Sequence, residues 1–165
     1  MKQSNLSWNA TAFFQKLAST NKFAKEKDFS FAKVSGLDGF EDALQQLQSA
    51  TAIIAVSDIS QGYIEVNNSP HTRRVKTVFL AMRHAFDDMT ARQECMDSMR
   101  ELFRQFASQL ILEKTRLEEN CIYIDPRITF NEIDRYFFSG AAGAYFQIAV
   151  DVFTDLRYNP DEWNG

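Results

Sequence analysis

The most constraining feature of the sequence is a long segment without Gly or Pro, from Thr90 to about Leu117, with apolar residues at helical spacing. Its apolar stripe comprises Cys95, Met99, Leu102, Phe103, Phe106, Leu110 and Ile111. The motif TARQ at its start matches a capping box, in which Thr90 is the N-cap and Gln93 reaches back. Apolar runs with β character flank this segment on both sides, so we expect one long helix between two sets of strands.

The strand patterns begin near Ala50 and resume after the long helix. The runs ATAIIAVSD, GYIEVNN and RRVKTVFLAMRHAF precede the helix, and CIYI, RITFNEIDRYFF and AYFQIAVDVF follow it. Pro70 and the two Asn residues before it mark a turn. Strands in groups around a single helix are typical of α+β folds rather than of wound parallel sheets. We therefore predict an α+β fold with a mainly antiparallel sheet, and with the long helix and one or two further helices on one face.

The first 50 residues have a more helical pattern. Apolar spacing predicts a helix from Asn9 to Ser19 with Ser7 as its cap, a short strand in FSFAKVSG, and a second helix capped by Asp38. We expect a single domain of residues 1–165. It consists of a helical N-terminal extension (residues 1–50), a core of meander, helix and hairpin (51–155) and a tail (156–165).

Composition excludes several classes of protein. The chain has 18 basic and 22 acidic side chains and a net charge of −4, which argues against a dedicated nucleic-acid binder. No apolar run approaches the roughly 18 residues that cross a bilayer. The N-terminus has no secretory pattern, so we expect cytoplasmic synthesis. Cys95 and Cys121 lie 26 residues apart; buried free thiols are favoured, and a disulfide stays open.

The sequence offers no catalytic or metal-binding signature. His71 and His84 are the only histidines and are expected at opposite ends of one strand. The SGAAG segment is neither a Walker loop nor a Rossmann fingerprint, and no G-x-S-x-G or H-E-x-x-H motif occurs. Glu132 and Asp134 are more simply polar residues of a solvated sheet face. We expect no enzyme activity, no metal and no cofactor.

The segment from Arg135 to Phe153, RYFFSGAAGAYFQIAVDVF, places aromatic residues on both sides of five small ones. It predicts a hairpin whose bare tip allows positive φ angles and close approach of another backbone. Packing of the tip on the protein's own first helix and packing against another molecule are both left open. The candidate interaction residues are Tyr136, Phe138, Gly140, Ala141, Ala142, Gly143 and Tyr145. Ala142 is expected to face solvent in a monomer.

A small basic patch, HTRRVK, contributes Arg73, Arg74 and Lys76 to the candidate interaction residues. It suits contact with a phosphate or an acidic partner. The simpler interpretation is the solvated start of a strand.

The layout of these segments resembles the tail-terminator and tail-completion proteins of long-tailed bacteriophages. The resemblance rests on an early helix, a meander (TAIIAVSDISQGYIEVNNSPHTRRVKTVFLAM), a long helix (TARQECMDSMRELFRQFASQLIL) and a closing hairpin (ITFNEIDRYFFSGAAGAYFQIAVDVFTD). The resemblance covers roughly Ala50 to Asp155, and it lies in the order of the segments more than in their amino-acid identities. The extended N-terminal region departs from the family's pattern.

The resemblance implies a structural protein of the virion rather than an enzyme. Such proteins assemble as rings, commonly hexamers, that complete the tail tube and meet the head. The expected partners are then further copies of the chain, the tail tube and head–tail connector proteins. The expected location is the phage tail, or the host cytoplasm during assembly. The alternative is a small intracellular protein-interaction or ligand-binding module that uses its sheet face.

Overall fold

A computed structural model of the chain describes residues 7–35, 45, 48–58, 60–133 and 140–164. These residues form three α-helices and seven β-strands. The helices are α1 (Ala10–Thr20), α2 (Lys22–Glu26) and α3 (Met89–Glu118). The strands are β1 (Phe29–Val34), β2 (Ala52–Ser57), β3 (Gln61–Glu65), β4 (His71–Arg83), β5 (Ile122–Ile124), β6 (Thr129–Glu132) and β7 (Ala141–Phe153). A short 3-10 helix follows at Pro160–Glu162.

All seven strands belong to one sheet, built around the antiparallel pair of β4 and β7, each 13 residues long. This pair runs in register from Arg83 opposite Ala141 to His71 opposite Phe153. Strands β2 and β3 share the outer edge of β4, and β5 and β6 share the outer edge of β7. Strand β1 pairs with β2 in parallel, whereas every other pair in the described residues is antiparallel. The predicted mainly antiparallel α+β fold is confirmed.

Helices α1 and α3 cover one face of the sheet, here called the helix-bearing face. Phe14 of α1 lies 5.9 Å from Phe106 of α3 and 5.6 Å from Phe146 of β7, measured between ring centroids. All three rings are fully buried, as is Met99. The prediction that Met99 and Phe106 mark the core side of the long helix is confirmed. Phe103 is only half-buried and stacks on Phe130 of β6 at 4.6 Å.

The opposite face of the sheet has a smaller buried cluster at one end. Its buried members are Val34, Ile53, Ala55, Phe79, Ala81 and Ala141. Strands β2, β4 and β7 therefore carry buried side chains on both faces at this end. At the other end, β3 is largely exposed. On the face opposite to α1 and α3, the sheet thus has one covered end and one solvated end.

The helix caps differ from the predicted ones. The Asn9 side chain accepts a hydrogen bond from the Ala12 amide at the start of α1, where Ser7 was predicted to be the cap. Likewise Asp88 caps α3 by accepting from the Ala91 amide, so the predicted Thr90 capping box is wrong. In both helices the residue immediately before the first helical residue provides the acceptor. The short polar side chain can satisfy an amide of the first turn only from that position.

The N-terminal region is part of the same sheet and core. Strand β1 pairs along β2 from Phe29 to Val34, and α1 contributes Phe14 and Leu17 to the buried cluster under α3. The predicted second helix, with its Asp38 cap, lies outside the described residues.

Two further findings concern the cysteines and the helices. Cys95 is a buried free thiol, and burial raises its pKa. Cys121 is also free but exposed, so the expectation of buried thiols is wrong for Cys121. No helix among the described residues is long and apolar enough to cross a membrane.

Candidate functional site

The small residues that were predicted to form a bare hairpin tip belong mainly to strand β7. Gly140 occupies a turn with a φ of 72°, and β7 begins at the next residue. Ala141 and Ala142 are buried, and Ala142 has 0 % of its surface exposed. The expectation that Ala142 faces solvent in a monomer is therefore wrong. Tyr136 and Phe138 lie outside the described residues.

The small side chains of β7 fit packing within the protein. Ala142 pairs with Met82 and belongs to the core cluster under α3, whereas Ala141 belongs to the cluster on the opposite face. In the first turns of α3, Arg92 donates hydrogen bonds to the carbonyls of Ala141 at 3.4 Å and Ile133 at 2.9 Å. Of the two open alternatives, packing within the same molecule is the one observed for Ala141 and Ala142. The Ala141 carbonyl contacts Arg92 at the start of α3. Tyr145 is half-buried, with its ring 6.2 Å from that of Phe79.

The predicted basic patch is divided between the two faces of β4. Arg74 and Lys76 pair with Val150 and Ile148, which belong to the core, so both basic residues lie on the helix-bearing face. Arg73 lies on the opposite face, because successive residues of a strand alternate. The three residues therefore cannot contact one ligand together.

Arg73 is the centre of an ion-pair cluster on the opposite face. Its Nε and one terminal nitrogen donate to the two carboxylate oxygens of Asp151, both at 2.7 Å. Its other terminal nitrogen lies 3.3 Å from Asp125. The bidentate hydrogen bonds from Arg73 lower the pKa of Asp151 from its usual value of 3.8. Sequence reasoning missed both carboxylates, because they come from strands far apart in the chain.

Replacing Arg73 by Met is expected to lower the free energy of unfolding by about 1–2 kcal/mol at pH 7. The folded-state pKa of Asp151 lies below its unfolded value, so this contribution is present above about pH 3.8 and is lost as pH falls through the folded pKa. In urea melts, the difference in unfolding free energy between wild type and Arg73→Met should therefore be smaller at pH 3 than at pH 7. Arg157→Met is the matched control, because the Arg157 side chain is 90 % exposed in its pair with Asp155. A difference that stays the same at both pH values would contradict the assignment.

Exposed aromatic side chains surround the Arg73 cluster. Tyr63, Arg73, Asp151 and Tyr123 lie in one row across β3, β4, β7 and β5. Phe153 is on the same face, two residues beyond Asp151. Tyr63 is 53 % exposed, Tyr123 49 % and Phe153 61 %. We call this set of residues, with Asp125, the Arg73 surface.

The Arg73 surface has the composition of a protein-interaction site. Aromatic residues and Arg are enriched at interfaces, where large rings add contact area at low entropic cost. Phe153 ends the aromatic segment that was singled out in the sequence, and it is exposed. Tyr63 and Tyr123 were not singled out, although each alternates with an Ile in its strand. That alternation is the only sequence signal that could have found them.

The edge strand β3 depends on a glycine. A Cβ atom at Gly62 would lie 1.9 Å from the Arg73 carbonyl oxygen and 3.2 Å from the Arg74 Cα. Both neighbours are backbone atoms of β4, so neither can move without breaking the ladder. Gly62 therefore allows β3 to approach β4 closely enough to present Tyr63 and Ile64.

Replacing Gly62 by Ala is expected to lower the free energy of unfolding by about 1–3 kcal/mol, because β3 must move away from β4. Denaturant melts measure the effect. Gln61→Ala, at the exposed neighbouring position in the same strand, is the matched control and should change stability by less than about 0.5 kcal/mol. Equal stability of the Gly62→Ala protein and the wild type would show that β3 does not need this close approach.

The described residues contain no group of three or more His, Cys, Asp or Glu side chains that could hold a metal ion. His71 and His84 lie near opposite ends of β4, as expected. Comparison of the sequence with models of known protein families finds no match. Comparison with curated protein sequences also finds none.

Proposed function

We propose that the chain is a structural protein of the tail or head–tail junction of a bacteriophage or prophage, where it assembles with further copies of itself to complete the tail tube. The observation that carries the proposal is the concentration of exposed apolar side chains at the solvated end of the sheet, on β3, β5, β7 and the segment after β7. These residues are Tyr63, Ile64, Val66, Tyr123, Phe153, Leu156, Tyr158 and Trp163. Exposed apolar surface of this kind marks sites of association.

The layout of the chain supports the phage assignment. The resemblance depends on a meander, a long helix and a closing hairpin in that order. In the fold, β2 and β3 pair one after the other with the same edge of β4 rather than as a three-strand meander, α3 packs on the sheet, and β6 pairs with β7 as in a hairpin. The proposal requires no catalytic step and no cofactor, and it assigns the protein to the virion.

The proposal has to be adjusted in one respect. Ala141 and Ala142 are buried within the protein and do not contribute to an assembly surface in this conformation. The assembly surface is proposed instead at the solvated end of the sheet. Of the predicted interaction residues, the three basic ones lie there, although on two different faces.

A second candidate function is a protein-interaction or ligand-binding module that uses the sheet face. The Arg73 surface favours it, because a partly buried Arg with two carboxylates and three flanking aromatic rings can bind a partner directly. The two functions differ in the partner: further copies and tail proteins in the first, an unrelated molecule in the second.

Deletion of the gene from the phage or prophage that encodes it tests the proposal. We expect at least a hundredfold loss of infectious particles and tails of irregular length in electron micrographs. Expression of the intact gene from a plasmid should restore both. A deletion that leaves the particle yield and the tail length unchanged would contradict the proposal and favour the interaction module.

A further inference from the structure

We propose that the segment after β7, residues 155–164, binds a second copy of the chain at a strip on its helix-bearing face formed by Ile64, Arg74 and Lys76. We call these the post-β7 segment and the β3–β4 strip. This inference rests on the proposed function, since it specifies how copies of the chain contact one another.

The post-β7 segment presents large aromatic side chains to solvent. Tyr158 is 75 % exposed and Trp163 67 %, and their rings stack with centroids 6.4 Å apart. Leu156 is also exposed. The segment therefore exposes three large apolar side chains to solvent, and no described residue covers them.

The segment is ordered by its own contacts before any partner binds. The Asn159 side chain accepts from the Asp161 amide at the start of the 3-10 helix, and Arg157 pairs with Asp155. At its root, the Thr154 amide donates to the Pro70 carbonyl. A segment that is already ordered loses less conformational entropy on binding.

Its charge is acidic and uncompensated. Residues 155–164 contain Asp155, Asp161 and Glu162 against Arg157, a net charge of −2. Because Arg157 pairs with Asp155, the net charge resides on Asp161 and Glu162. Neither forms a salt bridge with any residue that the structure describes.

The β3–β4 strip has the complementary character. Arg74 is exposed and Lys76 half-buried, and neither forms a salt bridge within the described part of the chain. Ile64, which is 54 % exposed, lies beside them on the same face. The strip thus offers two positive charges and an apolar side chain to a ligand with two carboxylates and aromatic rings.

The segment of the same copy does not occupy the strip. The segment leaves the sheet close to it, since the Thr154 hydroxyl lies 2.6 Å from that of Thr72, which is next to Arg74 on that face. Nevertheless Asp161 and Glu162 make no ion pair with Arg74 or Lys76. The proposal therefore assigns the strip to the segment of a second copy, whose two carboxylates match the two basic side chains of the strip. Because segment and strip are different surfaces, repetition of this contact generates a ring if the rotation closes.

A fluorescent peptide of residues 155–164 titrated with the full-length protein tests the contact. We expect saturable binding with a Kd below about 1 mM, since effective concentrations within an assembly are of that order and weaker contacts would not hold it. The Arg74→Glu/Lys76→Glu variant should bind the peptide at least tenfold more weakly. Lys33→Glu/Arg127→Glu is the matched control, because it makes the same charge change at exposed residues elsewhere.

Exchanging the charges of the peptide and the strip distinguishes specific binding from nonspecific electrostatic attraction. A peptide with Asp161→Lys/Glu162→Lys should bind the Arg74→Glu/Lys76→Glu protein more tightly than it binds wild type. No binding of the natural peptide up to about 1 mM would overturn the inference. Equal binding of a scrambled peptide, or an equal loss in the control variant, would overturn it too. The peptide titration needs no virion, so its result is independent of the gene deletion. If the deletion reduces infectious particles but the peptide does not bind, only this contact is refuted. If the deletion leaves the particles normal, the proposed function is refuted.

Discussion

Replacing Ala142 by Glu is expected to cost several kcal/mol of folding free energy, enough to unfold much of the protein at neutral pH. Ala142 is completely buried opposite Met82 in the central strand pair. A carboxylate there has to be desolvated among the apolar side chains under α3. The marginal stability of most domains, about 5–15 kcal/mol, makes such a loss large.

Circular dichroism melts and denaturant titrations at pH 7 measure the effect. Ala142→Leu separates volume from charge and should cost less, about 1–3 kcal/mol, because it only overpacks the site. Ala12→Glu in the first turn of α1 is an exposed control and should not destabilise the protein, since negative charge suits a helix N-terminus. If Ala142→Glu melted like wild type, β7 would not be buried at this position.

Replacing Phe106 by Ala should lower the free energy of unfolding by about 3–5 kcal/mol. The Phe106 ring is fully buried between the sheet and α1, and it contacts Phe14. Its removal leaves a cavity beside Phe14 in the core cluster that α1, α3 and the sheet share. The expected loss is therefore at the upper end of core truncations.

Ile111→Ala provides the control for Phe106→Ala, because Ile111 is on the same helix and is exposed. It should change stability by no more than about 0.5 kcal/mol in urea melts. The exposure of Ile111 also shows that its inclusion among the core-facing residues of the predicted stripe is wrong. A loss below about 1 kcal/mol for Phe106→Ala would show that the core side of α3 is misplaced.

Local patterns of apolar residues were enough to predict the long helix, its buried side and the strands of the sheet. The change from a period of two to a period of 3.6 near Thr90 is a local property of the chain. It predicted the start of α3 to within two residues and its end to within one, Met99 and Phe106 as core residues, and the α+β class. Alternation along β4 also implies that Arg73 lies on the face opposite to Arg74 and Lys76, although the three residues were predicted to form one basic patch.

The role of the small residues near Gly140 depends on pairing with a distant strand, which local patterns do not show. In the sequence, SGAAG has the composition of an exposed turn. In the fold, Ala141 and Ala142 pair with Arg83 and Met82, nearly 60 residues earlier, and this pairing turns the end of the apparent loop into a buried strand. Composition cannot distinguish the two cases, because a small side chain suits a tight turn and a strand covered on both faces equally well.

The candidate surfaces also needed the tertiary structure. Arg73, Asp125 and Asp151 are separated by up to 78 residues and meet only because β4, β5 and β7 are neighbours in one sheet. Tyr63 and Phe153 lie on the face opposite to α1 and α3, and their exposure depends on where the smaller buried cluster of that face ends. Local periodicity records which face of an element is apolar. The neighbours of that face are set by strand order and register, which arise from contacts between distant parts of the chain.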